Sequence, residues 1–175
     1  MSLLVISSSL NSESYSRTLA NEAVRVLKED GVAHTYLDLR KLPLPFCDGD
    51  KAYGHPDVAR ARELIAAASG VLIATPIYNY DANAVVKNLI ELTGQAWENK
   101  VVGFLCSAGG SGSLMSIMGL ANSLMLDFRC VIVPRFVHTT AECFRGEAIS
   151  DPKIVARVAG CARATVKLAA AVKGG

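Results

Sequence analysis

Charge, aromatic side chains and long apolar runs are all scarce in this sequence. Charged residues make up 19% of the chain and nearly cancel, 18 Lys and Arg against 16 Asp and Glu. A net charge of +2 offers no basic stripe for nucleic acid or an anionic membrane, and no acidic tail. No apolar run approaches the roughly 18 residues that span a bilayer. The start, Met1 to Ile6, has no basic flank, so a secretory signal is not expected. Five cysteines at scattered spacings form no Cys-x-x-Cys, which argues against a zinc or dithiol motif and for a reduced, cytoplasmic protein. His34, His55 and His138 stand in unrelated segments, and no metal site is expected. A triphosphate P-loop, a Gly-x-Gly-x-x-Gly after the first strand and a Gly-x-Ser-x-Gly elbow are all missing; in the last, position 113 is Ser113 rather than glycine.

What is present is a chain of 175 residues, 51% hydrophobic, the length of one ordinary domain, expected over 1–175. Short apolar runs read as buried strands, Leu3–Ile6, Val71–Ala74, Val101–Cys106 and Cys130–Val133, and a further strand is expected over about His34–Leu39. Between them lie helical patterns at about Tyr15–Glu29, Pro56–Ala68, Ala84–Leu92, Ser113–Leu126 and Pro152–Val172. Leu42-Pro43-Leu44-Pro45 excludes a helix in the long second connection. Strands apolar throughout, alternating with helices, predict a doubly wound α/β sheet covered on both faces.

Ligands of such sheets sit beyond the carboxyl ends of the strands. After the first strand, six of the eleven residues from Ser7 to Arg17 are serine, and they run into a helix N-terminus. One serine suffices for a helix cap; six favour an anion site of hydroxyls and peptide N–H groups, phosphate above all. Arg17, in the first helical turn, reads as a solvated side chain. After the third strand comes Thr75-Pro76-Ile77-Tyr78-Asn79-Tyr80-Asp81-Ala82-Asn83, whose two tyrosines and two carboxamides are material to flank a flat heteroaromatic ring, or simply a turn with exposed tyrosines. After the fourth comes Ser107-Ala108-Gly109-Gly110-Ser111-Gly112, whose glycines permit close approach of a ligand.

Together these segments resemble the NAD(P)H-dependent FMN reductases, a flavodoxin-like family with quinone, azo-dye and chromate reductases among its members. Ser9-Leu10-Asn11-Ser12-Glu13-Ser14 resembles the family's Gly-Ser-Leu-Arg-x-x-Ser, with Ser8 at its glycine. Thr75-Pro76-Ile77-Tyr78-Asn79 and Val86-Lys87-Asn88-Leu89-Ile90 resemble its Thr-Pro-x-Tyr-Asn and Leu-Lys-Asn-x-Ile. Ser107-Ala108-Gly109-Gly110 is similar to its third flavin loop, and Leu42–Pro45 to its proline connection. The family's arginine is Asn11 here, so phosphate binding must lean on hydroxyls and N–H groups. Asp81 stands in a segment where the family has Ser-x-Pro-Gly, and puts a carboxylate near the flavin entrance.

The resemblance implies a flavodoxin-like, five-stranded parallel sheet in three α/β/α layers. It also implies FMN as cofactor and NAD(P)H as co-substrate. Hydride would pass from nicotinamide to flavin, and electrons on to an acceptor such as free flavin, a quinone, an azo compound or a metal oxyanion. No side chain is expected to act as acid or base. Ser9, Asn11, Ser14 and Ser16 are expected at the phosphate. Pro76, Ile77, Tyr78 and Asn79 are expected at one edge of the ring, and Ser107, Gly109 and Gly110 at the other. Two other readings are an electron carrier of flavodoxin type, which the +2 charge disfavours, and a non-catalytic binding protein. Partners are expected to be small molecules and a second copy of the chain, as a homodimer or homotetramer. No charge interrupts the stretch between Lys100 and Asp127, so the fourth helix is apolar on more than the expected stripe of Leu114, Ile117, Met118, Ala121, Leu124 and Met125.

Overall fold

The computed structural model describes residues 1–173; the last two residues of the expected 1–175 domain lie outside them. In chain order the main elements are β1 (Leu3–Ser7), α1 (Tyr15–Glu29), β2 (His34–Asp38), α2 (Pro56–Ala67) and β3 (Gly70–Tyr78). They continue with β4 (Asp81–Ala82), α3 (Ala84–Thr93), β5 (Val101–Ser107), α4 (Met118–Phe128) and β6 (Val131–Ile132). The chain ends with β7 (Val137–Thr139), β8 (Phe144–Arg145), β9 (Ala148–Ile149) and α5 (Pro152–Lys173). The central strands run β2-β1-β3-β5-β6, all parallel, with β7 pairing β5 beyond β6.

Apolar side chains on successive strand residues point to opposite faces, so both faces carry a core. Leu3, Val5, Leu72, Ala74 and Leu105 meet Leu19, Ala23 and Leu27 of α1 and Val158 and Cys161 of α5. Leu4, Ile6, Val71, Ile73 and Phe104 meet Ile65 of α2, Leu89 and Ile90 of α3, and Leu120 and Leu124 of α4. The result is the expected three-layer α/β/α arrangement. At Gly103 the α5 layer comes so close that a Cβ would lie 2.8 Å from Thr165 Oγ1 and 3.1 Å from Cys161 Sγ, and it would also lie 2.9 Å from Leu72 Cδ2 on β3.

Four local expectations are corrected. The third strand does not stop at Ala74. It continues through Thr75 and Pro76, where Pro76 pairs with Ser107, and then folds back as a hairpin onto β4. Proline is tolerated there at the end of the parallel ladder. The fourth helix begins at Met118, not Ser113. Ser113 Oγ donates to the Gly110 carbonyl (3.0 Å) and Ser116 Oγ to that of Ser113 (2.6 Å), side-chain bonds that compete with helix formation. In consequence its buried stripe is Ile117, Leu120, Ala121 and Leu124, while Leu114, Met115, Met118, Met125 and Leu126 are exposed. The fifth strand is split into β6 and β7 around Pro134, and the β8–β9 hairpin follows.

Candidate active site

The chain leaves β1 for β2 on one side of the sheet and returns to β3 on the other. This reversal opens a crevice beyond the carboxyl ends of β1 and β3. A cleft of about 860 Å³ lies there, bordered by the loops after β1, β3 and β5. Of the expected site residues, Ser9, Asn11, Ser14, Pro76, Ile77, Tyr78, Asn79, Ser107, Gly109 and Gly110 all line it. Ser16 does not. It is wholly buried, and its hydroxyl lies 2.9 Å from that of Ser14, which does reach the cleft.

Local chemistry explains why these loops converge. Ser14 is extended (φ −130°, ψ 118°), and its Oγ accepts from the Arg17 N–H, capping α1. The positive end of a 15-residue helix therefore meets the serine loop. Asn83 caps α3 by accepting from Val86 N–H (3.3 Å). The same Oδ1 accepts from the Ser8 hydroxyl (2.9 Å) and the Thr75 hydroxyl (3.2 Å), while its Nδ2 donates to the Ser8 carbonyl (2.9 Å). One buried carboxamide thus ties the loop after β1 to the loop after β3. Asn88 does comparable work one turn along α3: its amide donates to the Pro45 carbonyl and its Oδ1 accepts from Cys47 N–H, both at 2.9 Å. That holds the proline connection against the helix.

Several residues beyond the expected set complete the lining. Glu13, Tyr15, Tyr80, Ala108, Ser113 and Ala141 also border the cleft. Asn83 stands among the carboxamides expected to flank the ring, and nothing in the sequence shows that it ties two loops together. Tyr80 sits with Asn79 in the tight turn joining β3 to β4, at φ 67° and 51° respectively. Asparagine accepts this left-handed region readily, but for other side chains it costs about 1–2 kcal/mol. His138, on β7, faces the Ser113 hydroxyl at 3.2 Å, and burial with the nearby Arg157 charge lowers its pKa. Among the described residues no cluster could hold a metal ion, and no helix is long and apolar enough to cross a membrane.

The donor set suits FMN. Hydroxyls and a helix N-terminus gather at one end, and an uncharged, partly apolar slot lies between Pro76–Asn79 and Ser107–Gly110. A Cβ at Gly109 or Gly110 would meet nothing within 4 Å, so the space beside both is open. Residues 1–142 match the NADPH-dependent FMN reductase family. The chain belongs to that family. It is 29% identical over 157 residues to an NAD(P)H-dependent FAD/FMN reductase of Geobacillus thermodenitrificans, covering 88% of this chain and 84% of that one. It is 31% identical over 137 residues to an NAD(P)H:quinone oxidoreductase of Solanum tuberosum, covering 73% and 70%. Its fold matches that of FerB, an NAD(P)H:(acceptor) oxidoreductase of Paracoccus denitrificans, with a TM-score of 0.78 at 21% identity over 96% of both chains. The chain is therefore an NAD(P)H-dependent flavin oxidoreductase, with FMN as cofactor and NAD(P)H as co-substrate. Family membership sets aside the electron-carrier and non-catalytic readings.

Proposed function

We propose that this FMN reductase delivers electrons to a flat, uncharged acceptor of the quinone class. The observation that carries the reading is the rim of the cleft, where Tyr78 and Tyr80 stand 55% and 60% exposed, while Tyr15 beside them is already stacked on Phe144 with ring centroids 4.4 Å apart. Aromatic faces in the open attract flat, electron-poor rings by stacking. Asp81, beside Tyr80 at the same rim, disfavours a metal oxyanion. The quinone oxidoreductase of Solanum tuberosum supports the same direction.

In this reading Ser9, Asn11 and Ser14 bind the phosphate, and Ser16 steadies Ser14. Pro76, Ile77, Tyr78 and Asn79 hold one edge of the ring, and Ser107, Gly109 and Gly110 the other. FMN, when bound, supplies the two-electron redox chemistry that couples NAD(P)H to the acceptor. The protein binds and orients the two rings in turn, with no side chain needed as acid or base. The test is steady-state NAD(P)H oxidation by FMN-loaded protein with benzoquinone, an azo dye, chromate and free FMN. The quinone should give the highest kcat/KM. Tyr80→Ala should raise its KM several-fold while the rate with ferricyanide, which needs no stacking, stays unchanged. Preference for chromate, or a silent Tyr80→Ala, refutes the reading.

We further propose a homodimer, or a dimer of dimers, through the outward face of α4 and the turn before it. Leu114, Met115, Met118, Met125 and Leu126 form an exposed apolar surface, and the space around Gly119 is open to a second helix. Sedimentation should give a multiple of 18.5 kDa, and Met115→Glu should lower it. A mass of 18.5 kDa at micromolar concentration refutes it. Five free cysteines support a reducing, cytoplasmic setting.

A further inference from the structure

Arg17 is not the solvated side chain its position in α1 predicts. Its side chain is 13% exposed. Nη1 donates to the carbonyls of Asn11 (2.7 Å) and Ser12 (3.0 Å), and Nη2 donates to that of Ser9 (2.7 Å). On the other side, Nε lies 3.4 Å from Asp38 Oδ2, an ion pair too poorly aligned for a hydrogen bond. That carboxylate ends β2 and is itself 6% exposed.

A trans peptide points its C=O and the following N–H in opposite directions. With the carbonyls of Ser9, Asn11 and Ser12 drawn onto one guanidinium, the N–H groups of Leu10, Ser12 and Glu13 are turned away from it. Those bonds put the three carbonyls on the Arg17 side of a loop whose residues Ser9, Asn11 and Glu13 line the cleft. Side-chain bonds hold the same shape: Asn11 N–H donates to Ser9 Oγ (3.3 Å) and Glu13 N–H to Asn11 Oδ1 (3.1 Å). A planar fork with several donors can gather three carbonyls at once; an ammonium on a flexible stem cannot fix them in the same plane. Asp38 meanwhile offsets the charge, so Arg17 acts on the loop more by geometry than by charge.

We propose that Arg17 is a positioning residue for the FMN phosphate. It acts from behind the loop in a chain that has Asn11 where a direct arginine contact would otherwise be expected. The proposal rests on the reading that the Ser9–Ser14 loop holds that phosphate. Arg17 orients the peptide groups and hydroxyls of the loop without touching the ligand.

The test titrates FMN-free protein with FMN and with riboflavin, which has the same ring and side chain but no phosphate, following flavin fluorescence. Wild type should prefer FMN strongly. Arg17→Ala and Arg17→Lys should each weaken FMN by about tenfold or more, the scale of a lost charge-assisted bond. Riboflavin affinity should hardly change. Asp38→Asn keeps the three carbonyl contacts and should keep the FMN preference. Full FMN affinity in Arg17→Lys overturns the proposal, because charge alone would then suffice. So does an equal loss for FMN and riboflavin, which marks general damage to the fold. Loss of the FMN preference in Asp38→Asn overturns it as well, by making the ion pair the active element. Should Arg17→Ala fail to fold, Arg17→Lys and Asp38→Asn decide. If wild type itself binds both flavins equally, the underlying phosphate-loop reading fails, a result distinct from all of these.

Discussion

Asn83→Ala should be among the most damaging substitutions near the cleft that touch no ligand. Asn83 is 5% exposed and serves three elements at once. Removing its side chain uncaps α3, at about 1 kcal/mol. It also leaves the buried Ser8 carbonyl without its 2.9 Å donor and the Ser8 hydroxyl without its acceptor. Each buried polar group left unpaired costs about 1–3 kcal/mol. The Thr75 hydroxyl suffers less, since it also donates to the Pro76 carbonyl. Because a water can enter the vacated space, the separate costs do not simply add, and a total of about 3 kcal/mol is expected. For a chain of this size that lowers Tm by about 6–12 °C. Urea unfolding of the FMN-free protein measures it, with the slope unchanged. A double-mutant cycle with Ser8→Ala should return a coupling of about 1 kcal/mol. A loss below about 1 kcal/mol, or strict additivity with Ser8→Ala, would show that the tie between the two loops does not carry stability.

Other outcomes follow from the same structure. Gly103→Ala should cost about 1–3 kcal/mol in urea unfolding by driving a methyl into Thr165 and Leu72; an unchanged midpoint would mean α5 can shift away freely. Burial pushes the thiols of Cys106 and Cys161 up to about 12 and that of Cys130 to about 11. Those three should therefore resist a thiol reagent in the native protein, while Cys47 and Cys143 react; rapid modification of all five without denaturant contradicts this burial. His138 is held below its ordinary pKa, so the unfolded chain binds more protons there and stability falls as pH drops through about 6.5. His138→Gln should flatten that part of a Tm-against-pH curve, and an identical curve would refute the contribution.

Much of the architecture was legible because buried parallel strands are apolar on both faces, as Leu3–Ile6 and Val71–Ala74 are. Two of the cleft loops were legible as a serine cluster and a glycine run at strand ends, and the loop after β3 through its likeness to Thr-Pro-x-Tyr-Asn. Pro76 was misleading: proline usually ends a strand, but here the ladder was already at its last rung. The start of α4 was hidden because serine hydroxyls at Ser113 and Ser116 capture local carbonyls, which no apolar periodicity records. The roles of Arg17 and Asn83 escaped for a related reason. Each bonds partners far along the chain or on the far side of a loop, and the sequence shows neither distance.

The placement of the phosphate in the serine loop is the claim on which the site stands, and Ser9→Ala combined with Ser14→Ala tests it most directly. Both hydroxyls line the cleft, and hydrogen bonds to a charged group are worth roughly 1.5–3 kcal/mol each. Equilibrium titration of the double variant with FMN should show affinity reduced by about a hundredfold or more, with an intact cooperative unfolding transition. FMN binding as tight as in the wild-type protein would contradict the account.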